Sequence, residues 1–412
     1  MSEDRAPGAR AQVARAQRRA LTVVLAIFAG SWTIVGALLA PVVGGWRLVA
    51  GAVLLFTVLP LAVFLRSRTG NHYPGSAVRL YVFRPMWYAQ LLLIVSAIAG
   101  ATAAIVGAPF GAAGAAGRAA IATVALAYLA LTIAGYAGSR SLVVTRLAVT
   151  LPSLPRELDG LRIAQICDTH IGPHTSRVQL ARVAAAVRDA RPDVIVVAGD
   201  LIDDYARDID RYAAAFGHLT APLGVFIIAG NHEVYAGWNE VRPRLEALRA
   251  TLLVNDGRVV EHRGVPFAIV GTGDPAAGQR ASPGLPAPDL EAALASVPAG
   301  LFVIVLAHNP ALWPPLAAAG VPLTLSGHTH WGQFSLLRSG WSLANPFLEL
   351  AMGSYVRGES LLYVHPGTGY WGVPFRLGAR SEVAILTLVR GDVAGISGAQ
   401  SIDARTRTQP VR

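Results

Sequence analysis

Read for its apolar positions, the chain falls into two unlike halves. Residues 21–41, 46–65, 89–108 and 119–137 are four stretches with almost no charged side chain, each near the roughly 20 residues that a helix needs to cross the hydrocarbon of a bilayer. Four transmembrane helices are predicted. Pro60 and the scattered glycines in these runs are tolerated in lipid, where neighbouring helices satisfy the freed backbone groups.

The second half carries apolar runs of only five to seven residues, LRIAQIC, DVIVVA, GVFIIA, LFVIVLA and VPLTLS. Runs this short, bounded by Gly or Pro, fit strands buried on both faces. Between them, Val178, Leu180, Val183 and Val187 recur at near-helical spacing behind Ser176, a suitable N-cap, and residues 238–250 and 311–319 read as further helices. Residues 258–271 read as two strands joined at Arg263-Gly264, and residues 274–288, rich in Pro, Gly and Ala, as an exposed loop. Strand, helix, strand with short connections is the rhythm of a sheet with parallel strands. Periodicity alone gives a mixed α/β domain over residues 161–398. Residues 1–20 form a basic N-terminus, 21–138 the transmembrane part, 139–160 a linker and leader strand with Pro152 and Pro155, and 399–412 a polar, disordered tail.

Charge orients the apolar half. The 412 residues are 53% apolar with a mean hydropathy of +0.46, and the net charge of +10 sits almost wholly in residues 1–150, which hold 13 arginines against Glu3 and Asp4. Arg5, Arg10, Arg15, Arg18 and Arg19 precede the first stretch; Arg66, Arg68, Arg79 and Arg84 separate the second from the third; Arg140 and Arg146 follow the fourth. The other two loops hold only Arg47 and Arg118. By the positive-inside rule both termini, and the α/β domain with them, are expected in the cytoplasm, in a multi-pass protein of the cell membrane. A cleaved signal peptide is the rival reading of the first stretch, but its apolar run is too long and more spans follow. The near-neutral second half, 22 arginines against 23 acids, argues against a nucleic-acid partner, which favours a basic groove.

Chemistry gathers where the short strands end. The five runs finish in Asp168-Thr169-His170, Gly199-Asp200 with Asp203, Gly230-Asn231-His232-Glu233, His308-Asn309 and Gly327-His328-Thr329-His330. Ligands in open α/β sheets collect beyond such carboxyl ends. Oxygen and imidazole donors suit divalent Mn, Fe or Zn. Seven candidate ligands exceed what one ion takes while keeping an open position, so two ions bridged by Asp200 fit better. Any single histidine here is most simply a structural one; five in five strand-end motifs reverse that weighting. His72, His174, His218, His262 and His365 fall outside the motifs and receive no role, though His174 stands close enough to His170 to line the cleft. Cys167, the only cysteine, excludes an intramolecular disulfide and reads as a small buried strand residue.

The ordered set Asp168-x-His170, Gly199-Asp200-x-x-Asp203, Gly230-Asn231-His232-Glu233, His308 and Gly327-His328-x-His330 resembles the calcineurin-like metallophosphoesterase family. The leader LPSLPRELDGLRIAQICDTHIG, with Gly332-Gln333, is similar to a membrane-anchored bacterial phosphodiesterase or UDP-2,3-diacylglucosamine hydrolase-like subgroup. Cys167, where Ser is usual, and Trp331, where a small residue is common, depart from the pattern without removing a ligand.

The resemblance implies a four-layer αββα sandwich behind an all-α four-helix transmembrane domain. It implies two divalent metal ions, one held by Asp168, His170, Asp200 and His330, the other by Asp200, Asn231, His308 and His328. It makes His232 the general acid, Asp203 the group orienting it, and Glu233 a supporting carboxylate. The implied activity is hydrolysis of a phosphodiester, phosphomonoester or pyrophosphate by metal-activated hydroxide, with the lipid bilayer and a phosphoester substrate, a lipid among the candidates, as partners. A catalytically weak membrane sensor would be expected to lose ligands. A transporter would carry ionisable residues within its spans, and these stretches carry essentially none.

Overall fold

The structure, a computed structural model, describes residues 6–69, 75–173, 175–278, 284, 286–336 and 341–397. His72, His174 and the tail over residues 399–412 lie outside these. The chain divides into two units, Met1–Ile133 and Ala134–Arg412.

Among the described residues, four helices are long and apolar enough to cross a membrane: Leu21–Val43, Trp46–Arg66, Ser76–Phe110 and Ala113–Ser139, the last continuing past residue 133 into the second unit. The third begins well before the apolar stretch at residue 89 and takes Arg79 and Arg84 into its first turns, because the helix continues where the hydropathy pattern breaks. Val35, Leu93, Ala97 and Ile121 form a small packed core. Most of the remaining apolar surface is exposed, as lipid-facing helices require. Inside the unit, Gln90 Nε2 donates to Thr57 Oγ1 at 2.9 Å, and Trp32 Nε1 to the same oxygen at 2.8 Å. Such bonds between apolar helices add modest stability, about 0.6 kcal/mol each on average.

The second unit is built on strands β1 (Leu142–Leu151), β2 (Arg162–Ile166), β3 (Val194–Ala198), β4 (Val225–Ile228), β5 (Thr251–Leu253), β6 (Asp256–His262), β7 (Val265–Gly271), β8 (Phe302–Leu306) and β9 (Leu323–Ser326). They are followed by β10 (Ser335–Leu336), β11 (Trp341–Ser342), β12 (Gly353–Arg357), β13 (Ser360–Val364), β14 (Ser381–Arg390) and β15 (Gly395–Ser397). One sheet runs β15-β1-β14-β2-β3-β4-β5 and the other β12-β13-β9-β8-β7-β6, with β10 and β11 as a separate hairpin.

Alternate side chains explain the layers. Ile163, Val194, Val196 and Phe226 point from the first sheet into a core shared with Phe267, Ile269, Ile304 and Leu325 of the second. Ile166, Ile195, Val197 and Ile227 point the other way, onto Leu180, Val183 and Val187 of the helix Arg177–Ala190. Ala268, Val270 and Val305 do the same on the far side, beneath Ala293 and Leu316. The result is the expected αββα sandwich. It also explains why β3 reads as an unbroken VIVVA: all five residues are buried, each against one of two different layers.

Three sequence readings are refined. Residues 142–151 of the leader are an interior strand, paired parallel to β14 in the register Leu142↔Ser381 through Leu151↔Arg390, so only Arg140 and Ser141 separate the last helix from the sheet. Ser176 occupies the N-cap position of its helix, but its side chain makes no capping bond. Residues 274–288 are not uniformly exposed, because Asp274 and Ala276 are buried. The Arg263-Gly264 turn stands as expected, both residues in the left-handed region (φ 51° and 81°) that a two-residue hairpin requires.

Candidate metal centre

Strands β2, β3 and β4 are parallel neighbours in one sheet, and β8 and β9 are parallel neighbours in the other. Their carboxyl ends open on one rim. From that rim Asp168, His170 and His330 bring one ligand atom each within 4.8 Å of one another, as do Asp200, His308 and His328, and also His170, Asp200 and His232. Asn231 joins the second group: its Oδ1 lies 2.8 Å from His328 Nδ1 and 3.1 Å from His308 Nε2. All seven ligands expected from the sequence therefore meet.

The two groups share a single oxygen. Asp200 Oδ2 stands 3.5 Å from His170 Nε2 and 3.3 Å from His308 Nε2, while Asp200 Oδ1 is occupied by the backbone amide of His232, which donates to it at 2.9 Å. Asp168 is held in the same manner, its Oδ1 accepting from the His328 amide at 2.9 Å. One oxygen of each carboxylate thus anchors a neighbouring loop. Oxygen and imidazole donors gathered in this way suit divalent cations. His170 Nε2 and His330 Nε2 face each other at 2.8 Å, an approach that needs a shared proton or a cation between the lone pairs. The walls leave no slack: a Cβ on Gly230 would fall 2.2 Å from Asp200 Oδ1, and one on Gly327 2.3 Å from Asp168 Oδ2.

Backbone strain marks the same residues. Asp168, His170, Asp200, His328 and His330 all have positive φ, between 40° and 73°. For residues with a Cβ this conformation costs of order 1–3 kcal/mol each and persists where the surroundings over-determine it. Glu233 supplies part of that determination. Its fully buried carboxylate accepts from the amides of Asp200 (2.9 Å), Leu201 (2.9 Å), Ile202 (3.3 Å) and Gly230 (2.8 Å), pinning the β3 loop to the β4 loop. Burial, then the charge of Asp200, pushes the Glu233 carboxyl up to about 7, against the four amides, which favour the ionised form.

Electrostatics divide the histidines. Burial disfavours charge on Asp200, but His308, His232 and His170 outweigh it and hold its carboxylate well below the usual range. His308 opposes its own burial through Asp200 and Asp168 and is raised well above an ordinary imidazole. His328 is lowered to about 4 by burial and by His308. His330 is lowered well below the ordinary value by burial, His170 and Arg376.

Asp203 sits differently from the expectation. His232 Nδ1 donates to the backbone carbonyl of Asp203, whose carboxylate Oδ1 lies nearer His170 Nδ1 (3.6 Å) than His232 Nδ1 (3.9 Å). The main chain of Asp203, at closer range than its carboxylate, therefore sets the His232 ring.

A second layer was not legible from the motifs. Cys167 is fully buried, and its thiol donates to Asp168 Oδ2 at 2.7 Å and lies 3.3 Å from His365 Nδ1. Burial and the adjacent Asp168 push the thiol well up, so it remains protonated. His365 faces Glu382 at 3.8 Å, and Glu382 accepts from Thr145 and Tyr363. Asp274 is buried near His308, and Arg376 Nη2 lies 3.0 Å from His330 Nδ1. The sequence signals for these were slight: single polar residues in or beside apolar runs.

Comparison with known proteins agrees with this geometry. The calcineurin-like phosphoesterase family matches residues 161–332. A metallophosphoesterase of Aquifex aeolicus is 30% identical over 269 residues, covering 63% of this chain and 98% of its own. The chain belongs to the calcineurin-like phosphoesterase family. The "transmembrane protein with metallophosphoesterase domain" of Danio rerio is 33% identical over 255 residues, 60% of this chain. The chain spans little more than half of that protein (57%) and of its Bos taurus counterpart (56%). Among solved structures, the phosphoesterase YfkN of Bacillus subtilis aligns at 17% identity and a TM-score of 0.31, covering 41% of this chain and 72% of its own. The family is metal-dependent, and the seven residues above are this chain's candidate ligands. Four apolar helices and the name of the vertebrate relatives point to a membrane protein.

Proposed function

We propose that the second unit is a dinuclear-metal phosphoesterase that hydrolyses a phosphodiester, phosphomonoester or pyrophosphate bond of a lipid-linked substrate at the membrane surface. The observation that carries the two-metal reading is the single oxygen, Asp200 Oδ2, between the two ligand groups. Asp168, His170, Asp200 and His330 would hold one ion, and Asp200, Asn231, His308 and His328 the other. Two such ions would polarise the phosphoryl oxygens and lower the pKa of an attacking water toward about 7.

The chain's own residues do the rest. Asp200 commits Oδ1 to a backbone amide and so fixes the direction of Oδ2, while Asp168 is oriented at both oxygens, by the His328 amide on Oδ1 and the Cys167 thiol on Oδ2. His232, its Nδ1–H given to the Asp203 carbonyl, would act as the imidazolium, passing its Nε2 proton to the leaving oxygen and returning to the neutral ring. Glu233 keeps the β3 and β4 loops in register while this happens.

Exposed apolar side chains beside the rim support an amphiphilic substrate. After His330, Trp331 turns inward and donates its Nε1–H to the Val364 carbonyl at 3.3 Å. Leu336, Trp341, Leu343 and Phe347 turn outward, Phe347 84% exposed, and Trp371, also exposed, is tied to this segment through Gln333. Such side chains favour a lipid interface, where acyl chains can be sheltered while the head-group phosphate reaches the metals. A diacylated nucleotide sugar, as the subgroup resemblance implies, is one substrate of this class. The arginine distribution favours a cytoplasmic active site. Hydrolysis of a chromogenic phosphodiester by the purified chain, dependent on added Mn and absent in Asp200→Asn, tests the reading; Mn binding without turnover on any phosphoester would leave a binding protein.

A further inference from the structure

The strand registers bring the end of the last apolar helix to the rim that carries the candidate ligands. β1 starts at Leu142, opposite Ser381 of β14, and β14 runs antiparallel to β2 with Ala384 opposite Gln165. Leu142 and Ser381 therefore lie at the carboxyl end of β2, from which Asp168 and His170 follow. The helix Ala113–Ser139 stops there, with only Arg140 and Ser141 before Leu142.

A groove of about 500 Å³ opens beside this edge, between the helix Arg177–Ala190 and the helix Ile209–Phe216. Arg177 and Arg211 stand at the rim end: Arg211 Nη1 donates to the carbonyl of Gly172, in the loop that follows His170, and Gln179 Nε2 donates to Ser381 Oγ at 3.5 Å. Arg188 and His218 stand at the other end, and short side chains such as Ala184 and Ala214 leave the space between them. No carboxylate lines the groove. Arg211 Nη1 has Asp208 Oδ1 at 3.8 Å, and the neighbouring Asp210 is taken by Arg244 at 2.7 Å. Among the described residues, the exposed Arg177 and Arg188 have no carboxylate partner. Arg188 Nη1 can only donate to His218 Nε2, at 3.2 Å, so that ring is neutral and its Nδ1–H is a further donor. In a half of the chain whose arginines and acids nearly balance, this is a lining made for an anion.

We propose that this groove is a second binding site, separate from the metal centre, for the phosphate-bearing head group of an acidic membrane phospholipid. The arginines select an anion, and the position of the entrance selects the lipid. Attraction of arginine to an acidic leaflet fades beyond a Debye length of about 8–10 Å, and the rim end of the groove lies beside the end of a helix long and apolar enough to cross a membrane. Tethering of this kind keeps a site where its ligand is concentrated. The phosphate would sit between Arg177 and Arg211, with the rest of the head group over the alanines toward Arg188 and His218. The site contains none of the candidate metal ligands, so it stands or falls apart from the two-metal reading.

The test uses the chelator-treated full chain in a neutral detergent, carrying Val178→Cys with an environment-sensitive fluorophore. Val178 is 62% exposed beside the groove without lining it, and Cys167 is fully buried, so the label reports from one place. Dihexanoyl phosphatidylglycerol should shift the emission to saturation, dihexanoyl phosphatidylcholine should not, and inorganic phosphate should need about tenfold more or worse. Arg177→Gln combined with Arg188→Gln should raise the phosphatidylglycerol concentration at half-shift by about tenfold or more, as loss of two charge-assisted contacts implies. If the double variant does not fold, Arg188→Gln alone decides, with about a threefold rise expected. Equal response to the two lipids would make the groove an apolar surface, and equal potency of inorganic phosphate would make it a site for soluble anions. An unchanged half-shift in the folded variant would put the lipid elsewhere. Any of these results, or no shift with any probe, overturns the proposal.

Discussion

The carboxylate of Glu233 accepts the backbone amide hydrogen of Asp200 at 2.9 Å, although the two residues end different strands. Three further amides converge on the same carboxylate, so the Asp200 backbone, at φ 51°, is held in place by a group that is not itself among the candidate ligands. Replacing it by Gln keeps the volume but turns one of two acceptors into a donor that faces amide hydrogens. Glu233→Gln is expected to fold and to lose metal affinity by about 10–100-fold. Mn binding isotherms on the purified chain check this. Unchanged affinity would mean that the left-handed Asp200 is maintained without Glu233.

Asp200 and His232 are expected to fail differently. Asp200→Asn weakens the one oxygen that faces both ligand groups, and the second ion should be lost with activity. His232→Ala removes a proton donor whose ring is set by a backbone carbonyl, so metal content should persist while turnover falls by about 10²–10⁴-fold. The loss should be least for substrates whose leaving group needs no proton. Equal metal loss in both variants would contradict the division of labour.

That the candidate ligands would come together was legible because each of them follows the end of a strand, and strand ends in a parallel sheet share a rim for topological reasons. A motif such as Gly327-His328-x-His330 carries its own position. Arg376, Glu382 and Asp274 were not legible, because what makes them matter is burial against residues distant in sequence. Arg376 sits in GVPFRLGARSE, which reads as an exposed loop until Gly135 and His330 close over it. The ten-residue β1 falls within the linker and leader strand read over residues 139–160, but its place inside the sheet was not legible, because its partner β14 lies more than two hundred residues further on. Nothing in the sequence signals the left-handed backbone at Asp168 or His170 either, since neither residue is glycine.

His365 gives the stability a definite pH dependence. Burial, reinforced by Arg376, lowers its imidazole to about 3 from an ordinary 6.5. The unfolded chain therefore binds a proton below pH 6.5 that the folded chain refuses until about pH 3. The contribution is fully present above pH 6.5 and is lost as pH falls through that window, at up to about 1.4 kcal/mol per pH unit. Chemical denaturation of the chelator-treated chain between pH 4.5 and 6.5 should show this slope, and His365→Gln should reduce it by one proton's share. An identical slope in the variant would assign the acid sensitivity to other groups.

Orientation is open to direct measurement. Cys167 is fully buried and Val393 is 75% exposed in the catalytic unit, so Val393→Cys is a reporter with little background. A membrane-impermeant thiol reagent should label it only after the cells are opened. Labelling in intact cells would place the domain outside and contradict the arginine distribution.

The apolar side chains after His330 separate a lipid substrate from a soluble one. Of the residues in this segment, Trp331 is packed and hydrogen-bonded, so its loss would be a folding defect. Phe347 is different: at 84% exposure its replacement costs the folded chain little, as surface changes generally remain within about 0.5 kcal/mol. Trp341, 37% exposed and stacked edge-on against Phe334 with centroids 6.3 Å apart, is an intermediate case. Phe347→Ser is therefore the cleaner probe and Trp341→Ser the supporting one. Neither residue is among the candidate metal ligands, so a small soluble phosphodiester should be hydrolysed at the wild-type rate. A diacylated phosphoester presented in vesicles should be hydrolysed several-fold more slowly, chiefly through a higher apparent KM, because binding shared by ground state and transition state is what a lipid-facing side chain supplies. Equal rates on the lipid substrate would mean that these side chains take no part in substrate capture, and a fall on both substrates together would return them to a structural role beside the metal centre.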